Sequence, residues 1–358
     1  MDLKIITPIF TIGKLLALTP STTKNLSPTS FQKLYSILVF LFYICGTTLS
    51  FVNRKSHYSK LSVMQLVLRV LLDVDLFVHS FYTVIVVGLF KRHQWIIIIT
   101  KLETVQYEND NERRYYSTFV VSHLVLLLVT VFAFYVWIDF FGVDFLQLYL
   151  VEYLQMYSQF FYTLSACTIL KMVLSRYQHQ NITVNQKLKS GKQLSAPVLY
   201  QIKRNLLVLR QIVDIFNDVF GWTVLLNVFF GALRSLIYLD VALKGDDSFN
   251  SDNHFENSLQ ILSHVGVILF YWVGMLAVIV LCDTIAKEFD DLLLLFHKLE
   301  NGSTDLVSNE CDISAFTRSV SRNLPEFTAA RYFHINRSTI LSLLNSITTF
   351  FLVMIQFK

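Results

Sequence analysis

Charged side chains are scarce in this chain: Asp, Glu, Lys and Arg make up 16% of its 358 residues, against 54% hydrophobic. A soluble domain carries about 25% charged residues, so this balance, with a mean hydropathy of +0.50, excludes a soluble globule. Cysteine is equally sparse, with four residues. Cys45 and Cys167 lie in apolar runs, Cys282 ends another and Cys311 sits in a polar segment, so none is placed to staple an outer loop. Catalytic signatures are missing: there is no Gly-rich phosphate loop, no HExxH or CxxC motif and no Ser/His/Asp set. Adjacent Asp290 and Asp291 point to different sides of a helix and read as solvent-facing, not metal-binding. The chain is not expected to be an enzyme, nor to need a metal or cofactor. No Gly/Pro-broken pair of spans in matching halves marks a transporter. Neither an internal repeat nor a soluble domain is visible, so residues 1–358 read as one domain.

What the chain has in abundance is apolar runs. Crossing a bilayer takes about 20 apolar residues per helix, and seven stretches qualify: about 31–52, 63–90, 117–140, 145–174, 213–243, 258–282 and 337–357. The first lies too far from the start, with too few flanking small residues, to be a cleaved signal peptide. The expected class is an all-α membrane protein with seven transmembrane helices.

Basic residues set the orientation. Segments 1–33, 91–116, 171–210 and 283–337 hold 4, 5, 8 and 6 Lys and Arg; 53–62, 141–144, 244–257 and the last residue hold 3, 0, 1 and 1. The remaining two, Arg69 and Arg234, lie inside spans. The positive-inside rule then predicts a cytoplasmic N-terminus and an extracellular C-terminus. This asymmetry accounts for the net charge of +4, and no nucleic-acid partner is implied. The N-x-S/T sequons at Asn25, Asn181, Asn301 and Asn336 all fall on the cytoplasmic side and are expected to be unused. A G-protein-coupled receptor, the rival from another class, needs the reverse orientation.

Several helices are expected to extend into the cytoplasm. After Cys282, Ile285, Phe289, Leu292, Leu293 and Phe296 keep helical spacing among charged neighbours. Segment 197–213 reads as a basic amphipathic approach to the fifth span, and 283–336 as a cytoplasmic helical anchor before the last helix. The stretch from Asn301 through Asn309 reads as a loop.

The last span is unusual. Ser338, Ser342, Asn345, Ser346, Thr349 and Gln356 recur at spacings of three, four or seven, which stacks uncharged polar groups on one face. Hydrocarbon offers such a stripe no partner, so it must meet protein or water. Val353, four residues after Thr349 and three before Gln356, interrupts the stripe on the same face. Two readings stay open at this point: the polar groups line a pore, or they are packing contacts between helices.

The end of this helix resembles the insect gustatory receptor family, relatives of the insect odorant receptors, whose signature is Thr-Tyr, five hydrophobic residues and Gln-Phe. Thr349, the run Phe351 to Ile355, Gln356 and Phe357 match in order and spacing, while Phe350 replaces the usual Tyr. Upstream, Ala330 to Arg337 is similar to the family's approach to its last helix. The resemblance implies a tastant-gated, non-selective cation channel in the plasma membrane of gustatory neurons. It implies a homo- or hetero-tetramer passing Na, K and possibly Ca ions, with the last helix lining a central pore. Carried across by motif, Val353 takes the place of the hydrophobic constriction and Gln356 that of the polar ring outside it, with Thr349, Ser346 and Phe357 beside them. An apolar ring closes a pore by dewetting it.

The same resemblance places a ligand pocket among spans two to six, in the outer half. Suitable side chains there are Glu152, Tyr153, Gln155, Met156 and Gln159 in span four, Tyr135 and Trp137 in span three, His79 in span two, and Asn227, His264 and Tyr271 in spans five and six. A small polar ligand needs a few aimed hydrogen bonds between aromatic walls. Glu152, at mid-membrane, is expected to have a partner or water. Arg69 and Asp73, and Asp75 and His79, are spaced i, i+4 and can neutralise each other. The 31 Phe and 17 Tyr suit bitter compounds, the amides and acid of span four suit a sugar, and membership of the family favours a bitter or undefined tastant.

Overall fold

The computed structural model describes residues 7–19, 28–59, 61–105, 112–189, 195–248, 254–302 and 313–356. It is almost wholly helical. A short α1 (Thr7–Leu15) precedes α2 (Ser30–Asn53), and the single turn of α3 (Lys55–Tyr58) leads to α4 (Val63–Ser80), which runs on as π-helical turns through Phe81–Phe90. Then come α5 (Arg92–Thr104), α6 (Glu112–Phe141), α7 (Asp144–Lys189), α8 (Ala196–Ser248), α9 (His254–Gly302), α10 (Ile313–Ser321) and, after a two-stranded hairpin, α11 (Arg337–Gln356).

Local sequence explains where the first spans begin. Thr29 and Ser62 are N-caps whose hydroxyls accept from the backbone of Gln32 and Gln65, while those glutamine side chains accept from the cap backbone in return. Two orphan donors are satisfied at each start. The sharp turn between α6 and α7 uses Gly142 at φ 69°, a left-handed conformation that a Cβ disfavours.

Among the described residues, five helical segments, within α2, α4 with its π-helical turns, α6, α8 and α9, are long and apolar enough to cross a bilayer. The expected spans at 145–174 and 337–357 correspond to parts of α7 and α11. The central part of α7 is the least lipid-like, because every residue from Ser158 to Cys167 is buried. A helix covered all round is interior, so α7 tolerates polar residues that a lipid-facing helix cannot. It packs chiefly on α9 and also on α2, while α4 packs chiefly on α8.

The 46, 53 and 49 residues of α7, α8 and α9 run to about 70–80 Å at about 1.5 Å per residue, against a hydrocarbon core of about 30 Å. The excess builds a second packing region where Tyr177, Phe216, Phe289 and Phe296 are fully buried. There the guanidinium of Arg176 donates to the carbonyls of Leu102 (2.9 Å) and Met172 (2.8 Å). A cation thus meets the C-terminal end of α5, where helix carbonyls are left without partners.

The anchor before α11 is not helical throughout. After α10 the chain forms β1 (Thr328–Ala329) and β2 (Phe333–His334), antiparallel, with Thr328 opposite His334. Ala330 and Arg331, at φ 49° and 65°, turn the chain between them. Of the loop expected from Asn301 through Asn309, Asn301 and Gly302 close α9, and 303–309 lie outside the described residues. Asn217 of α8 clamps the hairpin: its Nδ2 donates to Glu326 O (2.7 Å) and its Oδ1 accepts from Thr328 N (3.0 Å). One turn on, Gly221 lets the strand approach so closely that a Cβ there would stand 2.8 Å from Ala330 N. Gly221→Val is therefore expected to destabilise the protein by about 1–3 kcal/mol, the usual penalty for overpacking. Thermal unfolding in detergent reads this out, and an unchanged midpoint would contradict the close approach.

Candidate functional site

In α7, Tyr149 precedes Glu152 and Tyr153 by three and four residues, and these precede Met156 by four and three, which brings all of them to one side of the helix. Their side meets α6, α8 and α9 around two adjoining cavities. The smaller, about 200 Å³, is lined by Arg69, Trp137, Phe145, Tyr149, Glu152, Tyr153, Arg234, Ser263, His264 and Val267. The larger, about 430 Å³, is walled by His123, Thr130, Phe134, Tyr153, Met156, Tyr157, Val267, Phe270 and Tyr271 among others. Tyr153 and Val267 border both.

Glu152 is the electrostatic centre. Its carboxylate takes Arg54 Nη1 at 3.4 Å on one oxygen and Arg234 Nη2 at 3.0 Å on the other, with the Glu152 side chain only 5% exposed. Arg54 is shared: its Nη2 also meets both oxygens of Asp73, at 3.2 and 3.1 Å, and Tyr58 donates to Asp73 at 3.0 Å. The Arg54 guanidinium lies over the rings of Tyr149 and Tyr58, 5.1 and 5.5 Å from their centroids. Stacked and doubly paired, Arg54 holds Glu152 from behind and lines neither cavity. Its sequence signal was slight, a lone Arg just past the first span.

The aromatic walls are held in turn. Trp137 meets His264 edge to face at 4.9 Å, and Phe134 meets Tyr153 at 4.7 Å. Tyr271 Oη donates to Met156 O at 2.7 Å, and Arg234 Nη2 reaches Met156 Sδ at 3.5 Å. Phenol and guanidinium are thereby fixed, which orients the site before any ligand arrives.

Of the side chains proposed from sequence, Glu152, Tyr153, Trp137 and His264 line the smaller cavity, and Tyr153, Met156 and Tyr271 the larger. Tyr135 does not join them; it lies on the outward face of α6, 67% exposed. Gln155 is buried toward α2, with its Nε2 3.4 Å from Thr47 Oγ1. Asn227 donates to Thr163 Oγ1 at 2.7 Å, and neither Asn227 nor Gln159 lines either cavity. His79 is fully buried, its ring edge-on to Tyr162 at 6.4 Å.

Both proposed i, i+4 pairs differ from expectation. Asp73 pairs with Arg54 instead of Arg69 because the end of α2 brings a second guanidinium across. Asp75 and His79 share α4, yet their buried polar atoms make no hydrogen bond among the described residues. Ser263, Phe134, Val267 and Phe270 were not singled out from sequence. Apolar and hydroxyl side chains carry no signal there until helices cross.

The last helix is organised differently. Among its described side chains only Thr339 is buried, while Ile340, Leu343, Ile347 and Phe351 are half-buried, and these meet the body of the chain. Ser342, Asn345, Ser346, Thr349, Val353 and Gln356 are exposed. At 3.6 residues per turn the exposed stripe lies roughly opposite the packed face. Thr349 and Ser346 turn their hydroxyls back onto Asn345 O and Ser342 O, both at 2.9 Å, which leaves Asn345 and Gln356 as the outward amides. Phe357 lies outside the described residues. Arg337, at the start of α11, meets Asp283 of α9 at 2.7 Å.

Residues 6–358 match the family model described as 7tm Chemosensory receptor. The fold is similar to that of the insect olfactory receptor OR5 from Machilis hrabei, at 14% identity and a TM-score of 0.68, covering 99% of this chain and 98% of that one. The same receptor in complex with eugenol matches at 14% identity and a TM-score of 0.70, with the same coverage. A comparison with curated protein sequences finds no match.

Proposed function

Because the chain belongs to the 7tm chemosensory receptor family, we propose that it is a subunit of a tetrameric, ligand-gated cation channel of the plasma membrane, opened by a small tastant bound in the paired cavities. The observation that carries this reading is the direction of the α11 stripe. Six residues that cannot be satisfied by lipid, or that punctuate those residues, face away from the chain's own bundle. In a bilayer that face needs water or further copies of the chain. Four copies about an axis supply both: a wet path lined by Asn345, Ser346, Thr349 and Gln356, constricted by Val353. Neutral amides discriminate weakly between cations, so Na and K would both pass.

The cavities fit the other half of the role. Concave sites with aromatic walls and a few aimed polar groups are the usual form of small-molecule pockets. The eugenol complex of OR5 shows that this fold accommodates a small aromatic molecule in a relative. Coupling would run along α9, which lines both cavities, carries Asp283 and meets Arg337 of α11. Ligand opens the pore only if it binds the open arrangement more tightly than the closed one.

The decisive experiment expresses this chain in cells and records whole-cell current. Current within milliseconds of ligand, with no added nucleotide or G protein, is the expected result; a nucleotide-dependent response would overturn it. A second expectation concerns Thr349→Cys. A cationic, water-soluble thiol reagent should alter ligand-evoked current in this variant and leave the parent protein unaffected. Equal insensitivity of both would remove Thr349 from the ion path.

A further inference from the structure

Resting on the reading of the paired cavities as the ligand site, we propose that the ligand is an amphiphilic organic anion. Its carboxylate sits in the smaller cavity against Arg69 and Arg234, and its apolar body extends into the larger one.

The first argument is charge. Three ionisable side chains of fixed sign line the smaller cavity: Arg69, Arg234 and Glu152. Glu152 is already engaged on both oxygens, by Arg54 and by Arg234. Asp73 is engaged by Arg54 and Tyr58. Asp240, which lines a narrow pocket beside Arg69, accepts from Gln65 at 2.5 Å. Among the described residues, Arg69 therefore has no carboxylate within ion-pairing distance. A cation held at membrane depth without a partner is costly, and an incoming anion removes that cost.

Hydrogen bonding gives the second argument. Arg234 Nε and Ser263 Oγ are buried without a partner among the described residues, and both side chains line this cavity. With the Arg69 guanidinium, the unmet capacity is mostly N–H and O–H donors. A carboxylate supplies two oxygens with about four acceptor positions and no donor to compete, and guanidinium holds such a group with two parallel bonds. A sugar hydroxyl or neutral amide could use Ser263 Oγ and the remaining lone pairs of Glu152 as acceptors, but it would leave the charge of Arg69 uncompensated.

The third argument is shape. The two cavities meet at Tyr153 and Val267, which line both, and the larger has largely apolar walls. A ligand with one charged end and one hydrocarbon or aryl end satisfies both halves, whereas an inorganic anion leaves the larger cavity unused.

The test is a dose–response series of matched pairs on cells expressing the full chain: octanoate against 1-octanol, and 3-phenylpropionate against 3-phenyl-1-propanol. The acids are expected to activate at concentrations at least about tenfold below their alcohols, a difference of about 1.4 kcal/mol. In Arg69→Gln, activation by acid should weaken by about tenfold or more on the same scale, and the response to alcohol should weaken clearly less. Arg69→Lys, which keeps the charge, should recover part of the loss. Equal potency of acid and alcohol, or an equal shift of both in Arg69→Gln, would overturn the anion assignment. Val267→Trp separates the two levels of inference. Filling the junction of both cavities should suppress every ligand response, and undiminished responses there would sink the pocket itself instead of the ligand class.

Discussion

Val353→Ser is expected to pass current in the absence of ligand. In the proposed assembly four Val353 side chains form the narrowest apolar ring, and such a ring holds a pore shut by expelling water from it. The transfer free energy of a buried methylene is about 0.8 kcal/mol, so exchanging the valine methyls for a hydroxyl in several copies favours the wetted state by more than 1 kcal/mol. About 1.4 kcal/mol is a factor of ten in an equilibrium, and basal leak should rise at least on that scale. Replacing Gln356 with Ala should instead alter relative cation permeability, because its amide stands outside the barrier. The measurement is whole-cell current normalised to surface protein. A well-expressed Val353→Ser channel with no more leak than the parent would exclude this residue as the gate.

The second large effect is expected at Glu152. Glu152→Leu removes the shared anion between Arg54 and Arg234 and leaves Arg234 with no carboxylate partner among the described residues. Breaking a buried ion pair from one side costs about 3–5 kcal/mol, mostly the penalty of the orphaned charge. The expected result is a large loss of folded, surface-delivered protein. Arg54 fares better because Asp73 still holds it, so the double variant Glu152→Leu with Arg234→Leu should recover much of the loss. Thermal unfolding of the parent, the two single variants and the double variant yields the coupling directly. Additive losses would mean that the 3.0 Å contact contributes nothing as a pair.

The same cluster separates what was legible in the sequence from what was not. Glu152 stood out because a carboxylate in an apolar helix demands compensation, and so a partner was foreseeable. Its identity was not. Arg54 and Arg234 lie 98 and 82 positions away, and the nearer arginine on span two, Arg69, was the obvious candidate for Asp73. Proximity along one helix lost to a crossing of two helices, since the end of α2 delivers a guanidinium with better geometry than the i+4 neighbour. Tyr135 shows the converse error. Aromatic character near a helix end suited a pocket, but its position on α6 faces outward, where tyrosine is at home at a membrane interface. His79 and Gln159 were credible polar pocket residues by type, yet they sit deep between α4, α7 and neighbouring helices, away from both cavities. The hairpin at 328–334 was also hidden. A turn built on Ala330 and Arg331 carries no Gly or Asn, the residues that ordinarily announce a left-handed conformation.

Composition and periodicity by themselves determined that the chain is a bundle of membrane-crossing helices and that the last one bears a polar stripe interrupted at Val353. These are local properties, because an apolar run and a 3.6-residue repeat act within a few turns of the chain. Tertiary structure alone decided that α7 lies at the centre, that Glu152 answers to Arg54 and Arg234, that Arg69 is left facing a cavity, and that the α11 stripe points away from its own bundle. Those facts depend on which helices cross and at what height, and crossing is settled by side chains distant in sequence that fill one another's space.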